Sequence, residues 1–537
     1  MIKTKKKKRK ALGLYRNFMQ LLFVGSITGL FAGVIVTVFN ILVHEGEHIA
    51  QDVYAYVRSN PSFIPLLFLA LLAGAFLIGV AVNISSVIRG CAIPQTEGAT
   101  RGIVPLKWWR DLTLMFACTL LSIFMGLSIG AEGPSVLLGA CTGDGVSSVC
   151  RRNRMIRKYQ ITGGACAGLA VASNAPLTGM AFAFEEAYKR LTPEVFICSA
   201  TSVIVGMLTR HAIYWMRGEE ILTTFRHYVF FQLPLSAYGF VVLTGIACGL
   251  LGVVFYKLAF LMRKLFKKIR VKNNEKLSHV YRIITAVLIG GAFSLLAASN
   301  MGGGHRLIET LGSAGGTIDV KATTTFKIGL AWALAVILVI KMLTTTINIG
   351  SGIPCGIFFP IIAIGACLGA LLNTLWLHLG LDKAYCDLMV MICMAAFFTT
   401  VVKAPITSIV MICEFTGSFA HLLPVIIAVF IGYLIGEMFR TDGIYEELLE
   451  QYEKETDIHE SVIEVFTFTV EKSSLAEKRN VREVLWPVGA RVREIARGEE
   501  KIAASGETIL HYGDAVTISC RTDNPEKVRE ELEHIFG

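Results

Sequence analysis

The sequence predicts an all-α membrane protein that crosses the bilayer many times and ends in a small α/β domain. Of its 537 residues, 54% are hydrophobic and 17% are charged, whereas about 25% are charged in an ordinary soluble protein. The mean hydropathy is +0.59. This composition excludes a disordered chain, a collagen-like chain and a small disulfide scaffold, and it disfavours a wholly soluble enzyme.

The first element is a basic N-terminal tail, residues 1–16. The net charge is +10, and seven of the first ten residues are Lys or Arg. Such a run directly before an apolar segment predicts a cytoplasmic N-terminus, because basic segments stay on the cytoplasmic side. A solvated tail is the plainer alternative, and nucleic-acid binding is disfavoured. The apolar stretch 18–42 is too long for a signal peptide and has no clear cleavage site.

The membrane part is expected at residues 17–446. A span needs about 20 apolar residues, and the long candidates are 18–43, 63–82, 112–127, 195–216, 238–261, 283–298, 328–342 and 422–438. Segments that are too short or too interrupted by Gly and Pro to cross cleanly are 133–143, 161–186, 356–377 and 389–415. Broken segments at corresponding places in two halves are typical of a transport site.

The membrane part contains an internal duplication. The stretches that begin at Ala175 and Ala404 both read Ala-Pro-x-Thr, and each reaches a Glu ten residues after its Ala. Pro134 and Pro360 are each followed by Gly-Ala-Cys at the same interval, and they are separated by nearly the same length of chain as Ala175 and Ala404. Two ordered matches at nearly one offset indicate a repeat, whose relative orientation the sequence leaves open.

The composition changes after about residue 446. Residues 447–460 are acidic and predict a linker, and residues 461–537 predict a small cytosolic α/β domain. Within this domain the pattern predicts strands at 463–470, 491–497 and 515–520 and helices at 474–485 and 525–536.

The thirteen cysteines are scattered singly and form no CxxC pair. This spacing predicts neither a disulfide framework nor a metal site, and most cysteines are expected to serve as small packing residues. Cys91 is the candidate exception.

Three Gly-rich stretches, 90–94, 130–134 and 356–360, each place a Pro near the start of an apolar helical run. A Pro costs nothing there, because the first N–H groups of a helix are unpaired, and the preceding Gly lets the backbone open toward a ligand. A helix N-terminus offers free N–H groups and a partial positive charge, which suit an anion. We therefore predict an anion site; the alternative is that Gly and Pro only permit kinks and close helix packing.

Four glutamates can be separated by their context. Glu132 lies in an apolar segment, where an ionisable group is costly unless it serves a pathway or has a partner. When ionised it can occupy the anion site, and when protonated it can swing away, so we predict a gate that also carries protons. Glu185 and Glu414 are matched by the repeat and are expected to bond to the backbone of the broken helices. Glu186 has no counterpart, since Phe415 follows Glu414, and is the better functional candidate.

Two further side chains stand in or near apolar segments. Lys341 is predicted to be a structural counter-ion for a buried carboxylate, with direct anion binding as the alternative. Tyr445 follows the last span, and by position alone it is predicted to be an interfacial aromatic.

These stretches, in this order from about Gly90 to Tyr445, resemble the signature motifs of the CLC chloride channel and transporter family. The resemblance implies two inverted repeats of tilted, broken helices and a homodimer with one pore per subunit. It implies that Glu132 is the external gating glutamate and Glu186 the internal proton-transfer glutamate. The anion-binding residues that it implies are Cys91, Ala131, Gly133, Gly356, Ile357, Phe358 and Tyr445.

Three positions depart from the family pattern. Cys91 stands where Ser is usual, and a thiol is a weaker hydrogen-bond donor than a hydroxyl, which leaves the preference for chloride over nitrate open. Ala131 replaces a common Arg near the outer site, and Ala92 replaces a Gly. Tyr445 and Ile93-Pro94 argue against the fluoride-exporting branch of the family.

The C-terminal domain resembles the TrkA-C ligand-binding domain of bacterial potassium-conductance regulators. The resemblance is carried by residues 492–497, 506–508 and 512–514. It implies pairing around a two-fold axis and binding of cyclic di-AMP at the interface, and a dimerising cap without a ligand is the alternative. The candidate contacts are Arg493, Arg497, Ile502 and Ala503.

The combined prediction is a proton-coupled chloride antiporter of the cell membrane with both termini in the cytoplasm. Membrane lipid, chloride and protons are its expected partners, with no cofactor. The P-loop pattern is absent, and an enzyme is disfavoured. Two alternatives stay open: a passive chloride channel, which Glu186 disfavours, and a ligand-sensing membrane protein in which transport is secondary.

Overall fold

A computed structural model gives the helices and strands of this chain. The residues that it describes are 2–150, 154–189, 192–220, 225, 228–272, 274–313, 329–455, 462–472, 474–484, 486–487, 490–498, 500–522 and 525–537. Met1 and the side chains of the predicted basic tail lie outside this described part. The chain divides into two compact units, a helical one and one formed mainly by residues 449–537.

Apolar runs give most of the helices that precede the C-terminal sheet. They are α1 (Ile2–Ser59), α2 (Ile64–Ile84), α3 (Ile93–Arg101), α4 (Trp108–Phe124), α5 (Glu132–Val149), α6 (Arg154–Ser173), α7 (Pro176–Phe182), α8 (Pro193–Arg217), α9 (Tyr238–Lys267), α10 (Glu275–Leu296), α11 (His305–Ser313), α12 (Leu330–Ser351), α13 (Phe358–His378), α14 (Cys386–Val402), α15 (Pro405–Thr416), α16 (Leu422–Met438) and α17 (Ile444–Glu455). A π-helical turn, Ala183–Ala187, continues α7.

Eight helices among the described residues are long and apolar enough to cross a membrane. Six of them, α1, α2, α8, α9, α10 and α12, confirm predicted spans. The predicted spans 112–127 and 422–438 correspond to the 17-residue helices α4 and α16. The remaining two long apolar helices are α13 and α14.

The prediction that 356–377 is too interrupted to cross is therefore wrong. Pro360 is the third residue of α13, where its missing N–H and fixed φ fit the helix start, so the helix runs on without a break. The break predicted within 161–186 is confirmed, because α6 ends at Ser173 and α7 restarts with Pro176 as its first residue. The break within 389–415 is confirmed in the same way at Pro405.

The two halves of the repeat have the same helix crossings. Gly139 and Gly143 of α5 lie against the α6 backbone, and Gly365 and Gly369 of α13 lie against α14, so that a Cβ at any of the four positions would collide with the neighbouring helix. The offset that relates the first pair of glycines to the second is the one that relates Pro134 to Pro360. The duplication therefore preserves a close helix contact that only glycine permits.

Reciprocal caps show how the halves are oriented. The Glu185 carboxylate, after α7, accepts the N–H groups of Ile406 and Thr407 at the start of α15 at 2.9 and 2.6 Å. The Glu414 carboxylate, near the end of α15, accepts the N–H groups at the start of α7 at 2.7 Å each. This confirms the predicted structural role of both glutamates. Because each helix end meets the start of the other, α7 and α15 run antiparallel, as inverted repeats require.

The C-terminal unit is a small α/β domain, as predicted. Its elements are β1 (Val462–Thr469), β2 (Ala490–Arg497), β3 (Glu500–Ala503), β4 (Ala515–Thr522) and α18 (Pro525–Phe536). The sheet has the order β1-β4-β2-β3 with antiparallel neighbours. The apolar side of α18 packs into its core. The short edge strand β3 was not predicted.

The helix predicted at 474–485 is wrong. Its described residues form turns and a short 3-10 helix, Val481–Glu483. Asn480 and Glu483 cap each other's backbone there, and Lys478 has a φ of +63°, which interrupts a helix. The predicted linker 447–460 is helical through Glu455 as the end of α17, and residues 456–460 lie outside the described part of the chain.

Candidate functional site

The three Gly-rich stretches meet in the structure. Gly130, before α5, and Gly356, before α13, exchange two backbone hydrogen bonds of 2.8 and 3.1 Å that form an antiparallel bridge. The Cys355 N–H donates to the Gly90 carbonyl at 3.0 Å, which joins the stretch before α3 to the same place. Gly133 has to be small, because a Cβ there would lie 3.1 Å from the Gly356 Cα. The starts of α3, α5 and α13 therefore converge.

The helix α13 supplies the backbone amides of this point. Ile357 precedes α13 and Phe358 is its first residue, so their N–H groups have no acceptor within the helix. Gly356 differs, because its N–H already donates to the Gly130 carbonyl. Gly356 holds the loop in place and offers no amide to an anion. Ala131, the residue before α5, is buried beside it.

Twenty buried side-chain polar atoms lack a hydrogen-bond partner among the described residues, and two of them are the Tyr445 hydroxyl and Glu132 Oε2. Leaving such a group unpaired costs about 1–3 kcal/mol, and both residues interact with the Gly-rich stretches or belong to them, so these two atoms are candidate ligand contacts. Tyr445 is only 1% exposed and interacts electrostatically with both Glu132 and Glu186. The prediction of an interfacial aromatic, made from its position alone, is therefore wrong.

A pair of thiols lies beside the Tyr445 hydroxyl. Cys91 is buried, and its thiol is hydrogen-bonded to that of Cys355. Both thiols interact electrostatically with Tyr445. Sequence reasoning missed Cys355, whose only signal was its position directly before the stretch 356–360. The neighbouring Ala92 has a φ of +68°, a conformation that favours the Gly usual at this position.

Glu132 is the first residue of α5 and only 2% exposed. Its carboxylate lies within reach of its own N–H and that of Ala131, so it occupies the helix N-terminus where an anion would bind. A Cβ on Gly130 would lie 2.6 Å from Glu132 Oε2. The glycine before α5 therefore makes room for this carboxylate.

His305, the first residue of α11, stands next to Glu132. Its Nε2 is 3.7 Å from Glu132 Oε1, and its ring stacks on that of Phe359 with 3.7 Å between centroids. The His305 side chain is 34% exposed, in contrast to the buried carboxylate. Sequence reasoning missed His305, because the proximity depends on a tertiary contact between α11 and α13.

Lys341 of α12 is fully buried. Its Nζ donates to the carbonyl oxygens of Asn300 and Gly302 at 3.0 and 2.8 Å. The nearby carboxylate is that of Glu47 on α1, which accepts the Gly303 N–H at 3.2 Å and interacts electrostatically with Lys341. Lys341 thus fixes the loop before α11 mainly through carbonyl groups, and the counter-ion role predicted for it is secondary.

Glu186 lies in the π-helical turn after α7 and is buried. Beside it, Lys189 forms ion pairs with Glu97 of α3 at 2.9 Å and with Glu446 at 3.0 Å. Glu186 interacts electrostatically with both Glu97 and Lys189. Glu97 and Lys189 were not predicted, although Glu97 stands within the same short helix that follows the stretch 90–94.

The candidate ligand residues of the C-terminal unit lie on adjacent strands. Arg493 on β2 and Ile502 and Ala503 on the edge strand β3 are partly or fully exposed. Arg497 instead forms a bidentate ion pair with Asp514, in which both N–O distances are 2.8 Å. Burial alone would raise the pKa of Asp514, but the hydrogen bonds from Arg497 and the His511 N–H lower it below the ordinary value. Arg497 is thus committed to the domain's own structure.

Comparison with known proteins decides the family. The sequence profile of the voltage gated chloride channel family matches residues 73–437. The chain belongs to this family, the CLC family. It is 30% identical over 445 residues to the H(+)/Cl(-) exchange transporter ClcA of Vibrio cholerae serotype O1 (strain M66-2), covering 80% of this chain and 89% of that protein. It is 29% identical over 405 residues to the ClcA of Yersinia pestis bv. Antiqua (strain Angola), covering 74% and 79%.

Solved CLC structures have the same fold. A slow cyanobacterial Cl-/H+ antiporter superposes with a TM-score of 0.71 at 22% identity, covering 81% of this chain and 99% of the other. A CLC-type fluoride/proton antiporter gives a TM-score of 0.58 at 20% identity, covering 78% and 96%. This CLC protein is therefore a multi-pass membrane protein of two inverted repeats, and its C-terminal α/β domain lies beyond the family match, which ends at residue 437.

Proposed function

We propose that this CLC protein exchanges chloride for protons across the cell membrane. One observation carries the proposal: Tyr445, whose hydroxyl lacks a hydrogen-bond partner among the described residues, interacts with two separately buried carboxylates, Glu132 and Glu186. The convergent helix starts suit an anion, and the two acids suit protons. The exchange activity in the names of the Vibrio and Yersinia relatives agrees with this assignment.

The anion is held without a full positive charge. We assign the central site to the N–H groups of Ile357 and Phe358, the Tyr445 hydroxyl and the Cys91 thiol, with α13 contributing its N-terminal partial charge. Donors that are fixed before the ion arrives hold it without reorganisation. A full positive charge at this site would bind chloride too tightly for it to leave, since conduction needs moderate binding.

The two acids carry the protons. Ionised Glu132 competes with an anion for the start of α5, and protonated Glu132 leaves that place, so that chloride entry and proton uptake alternate. Glu186 exchanges protons with the cytoplasmic side, next to the Lys189–Glu97 ion pair. A passive channel needs no second acid, so the burial of Glu186 favours exchange.

The test is a flux measurement on purified protein in liposomes. A chloride gradient should drive protons uphill in the wild-type protein. Glu132→Gln should abolish this coupling while chloride still moves, because an amide neither ionises nor carries a proton. Chloride flux without proton movement in the wild-type protein would indicate a passive channel, and proton coupling that persists in Glu132→Gln would refute the gate.

The proposed assembly follows the CLC resemblance, and the proposed regulation follows the resemblance of the C-terminal domain to TrkA-C domains. We propose a homodimer with both termini in the cytoplasm, in which the C-terminal domain senses a ligand such as cyclic di-AMP through Arg493, Ile502 and Ala503. Their placement on adjacent strands at the sheet edge supports this proposal. Comparing fluxes with and without cyclic di-AMP tests it.

A further inference from the structure

We infer that His305 passes protons between the external solution and the Glu132 carboxylate. The inference rests on the proposed function, because it concerns the proton path of that exchange. The observation behind it is a partly exposed imidazole placed 3.7 Å from a carboxylate that is itself 2% exposed.

The geometry suits a proton carrier. A hydrogen bond needs about 2.7–3.2 Å, so a small rotation of either side chain, or one bridging water, joins Nε2 to Oε1. Catalytic hydrogen bonds are often long in the unliganded state and shorten during the reaction. The other ring nitrogen, Nδ1, faces Gly303, where a Cβ would lie 3.3 Å away. The absence of a side chain at 303 keeps that nitrogen uncrowded.

The ring is held in place by packing that does not need its nitrogens. It stacks on Phe359, which also packs against Phe415 and Phe225. Phe359 directly follows Phe358, one of the residues proposed to bind the anion. The stack therefore fixes the distance of the imidazole from Glu132.

Charged groups approach His305 from several elements. Glu132 faces it from α5, and Lys341 from α12. His44 faces it from α1 and contacts His48 with an Nε2–Nε2 distance of 3.3 Å. This concentration of ionisable groups marks a hydrated entrance, because isolated charges facing lipid are costly.

Three more charged groups belong to the same entrance. Glu47 of α1 lies close enough to interact electrostatically with Glu132 and Lys341. Arg306 and Glu309 are on α11 itself and are exposed. His305 is the group of this set that both remains accessible to solvent and has a nitrogen 3.7 Å from the gating carboxylate.

The transfer step balances with water or buffer as the proton source. His305 takes a proton from an external water molecule or buffer acid, which leaves hydroxide or the conjugate base outside, and becomes an imidazolium. The Nε2–H bond then breaks as the O–H bond of Glu132 forms, which leaves a neutral imidazole and a protonated carboxyl group. The reverse sequence releases a proton to the outside.

The need for such a carrier grows with external pH. At pH 8 the hydronium concentration is about 10⁻⁸ M, so a diffusional ceiling of about 10⁹ M⁻¹ s⁻¹ allows only roughly 10 direct encounters per second. An imidazole can draw on water and buffer instead. His305 should therefore matter most in alkaline external solution.

The experiment uses the full chain in liposomes with His305→Phe, which keeps the stack on Phe359 and removes the proton carrier. A matched control is His421→Phe, since His421 also packs on a phenylalanine, with 5.7 Å between its ring and that of Phe230. At external pH 8, His305→Phe should lower proton flux at least about a hundredfold, which is the lower end of the usual contribution of an acid–base group. At pH 5 the loss should be small, chloride flux should persist, and the control should resemble the wild type.

A second variant separates proton transfer from packing. His305→Ala should lose proton flux at pH 8 and recover part of it when imidazole is added to the bath. Equal pH profiles for His305→Phe and the wild type would overturn the inference, as would a loss at every pH that imidazole does not rescue. These results leave the proposed exchange intact, whereas a wild-type protein that moves no protons would overturn both.

Discussion

The reciprocal caps allow a quantitative test with Glu414→Gln and Glu185→Gln. The Glu414 carboxylate accepts three hydrogen bonds, from the N–H groups of Leu177 and Thr178 at 2.7 Å each and from the Thr178 hydroxyl at 2.6 Å. The Glu185 carboxylate accepts two, from backbone N–H groups. The matching hydroxyl of Thr407 has no partner among the described residues. The two caps are therefore similar but unequal.

The difference sets the expected energies. A hydrogen bond to a charged group contributes about 1.5–3 kcal/mol and a neutral one about 0.5–1.5 kcal/mol. Glutamine keeps one acceptor oxygen. Its NH2 group, however, replaces the second oxygen and faces a backbone N–H group, so two donors oppose each other. Glu414→Gln should therefore lower the free energy of unfolding by about 3–5 kcal/mol and Glu185→Gln by about 2–4 kcal/mol, a difference of about 1 kcal/mol.

The assay is denaturant unfolding of the purified protein in detergent micelles. The control makes both Gln substitutions in Thr178→Val protein, which lacks the extra hydroxyl donor. In that protein Glu414→Gln and Glu185→Gln should lower the free energy of unfolding by equal amounts. Protein that folds in either Gln variant should keep proton-coupled transport in liposomes. A larger cost for Glu185→Gln, or uncoupled transport in folded protein of either variant, would refute the capping argument.

Four further predictions follow from the site and the C-terminal domain. Glu186→Val should stop proton transport in liposomes while chloride still flows, and retained coupling would remove Glu186 from the proton path. Cys91→Ser should tighten chloride binding several-fold in calorimetry, since O–H is the better donor and a neutral hydrogen bond contributes roughly 0.5–1.5 kcal/mol; an unchanged isotherm would make Cys91 a packing thiol. Ala92→Gly should stabilise the protein by about 1 kcal/mol in denaturant titration, because it relieves the φ of +68°, and a loss of stability would contradict this. Because the pKa of Asp514 is lower in the folded domain than its unfolded value of about 4, ionised Asp514 stabilises the fold above that pH. This stabilisation should disappear as the pH falls through the folded pKa. Hydrogen exchange of the β4 amides should then become faster, and Asp514→Asn should remove this pH dependence.

Local rules predicted much of this molecule. Pro and Gly restrict the backbone at their own positions, so the breaks at Pro176 and Pro405 could be predicted from the sequence. The repeat then assigned Glu185 and Glu414 to structure before any contact was known.

The errors came from position and from tertiary contacts. The Gly and Pro residues of 356–377 suggested an interrupted segment, although Pro360 was also predicted to lie near a helix start, and a Pro in the first turn of a helix interrupts nothing. His305 follows three glycines and carries no periodic signal, so only the packing of α11 on α13 brings it to Glu132. Cys355 and Lys189 were missed for the same reason.

The duplication explains why scaffold and chemistry can be told apart. Matched positions carry scaffold contacts, such as the Gly130–Gly356 bridge. The groups that move ions have unlike partners: the offset from Pro134 to Pro360 matches Glu132 with Phe358, and the offset from Ala175 to Ala404 matches Glu186 with Phe415. Each acid is thus matched by a phenylalanine in the other half, which leaves one titratable group at each end of the path. Changes at matched positions should therefore reduce stability first, whereas changes at unmatched positions should alter transport in protein that still folds.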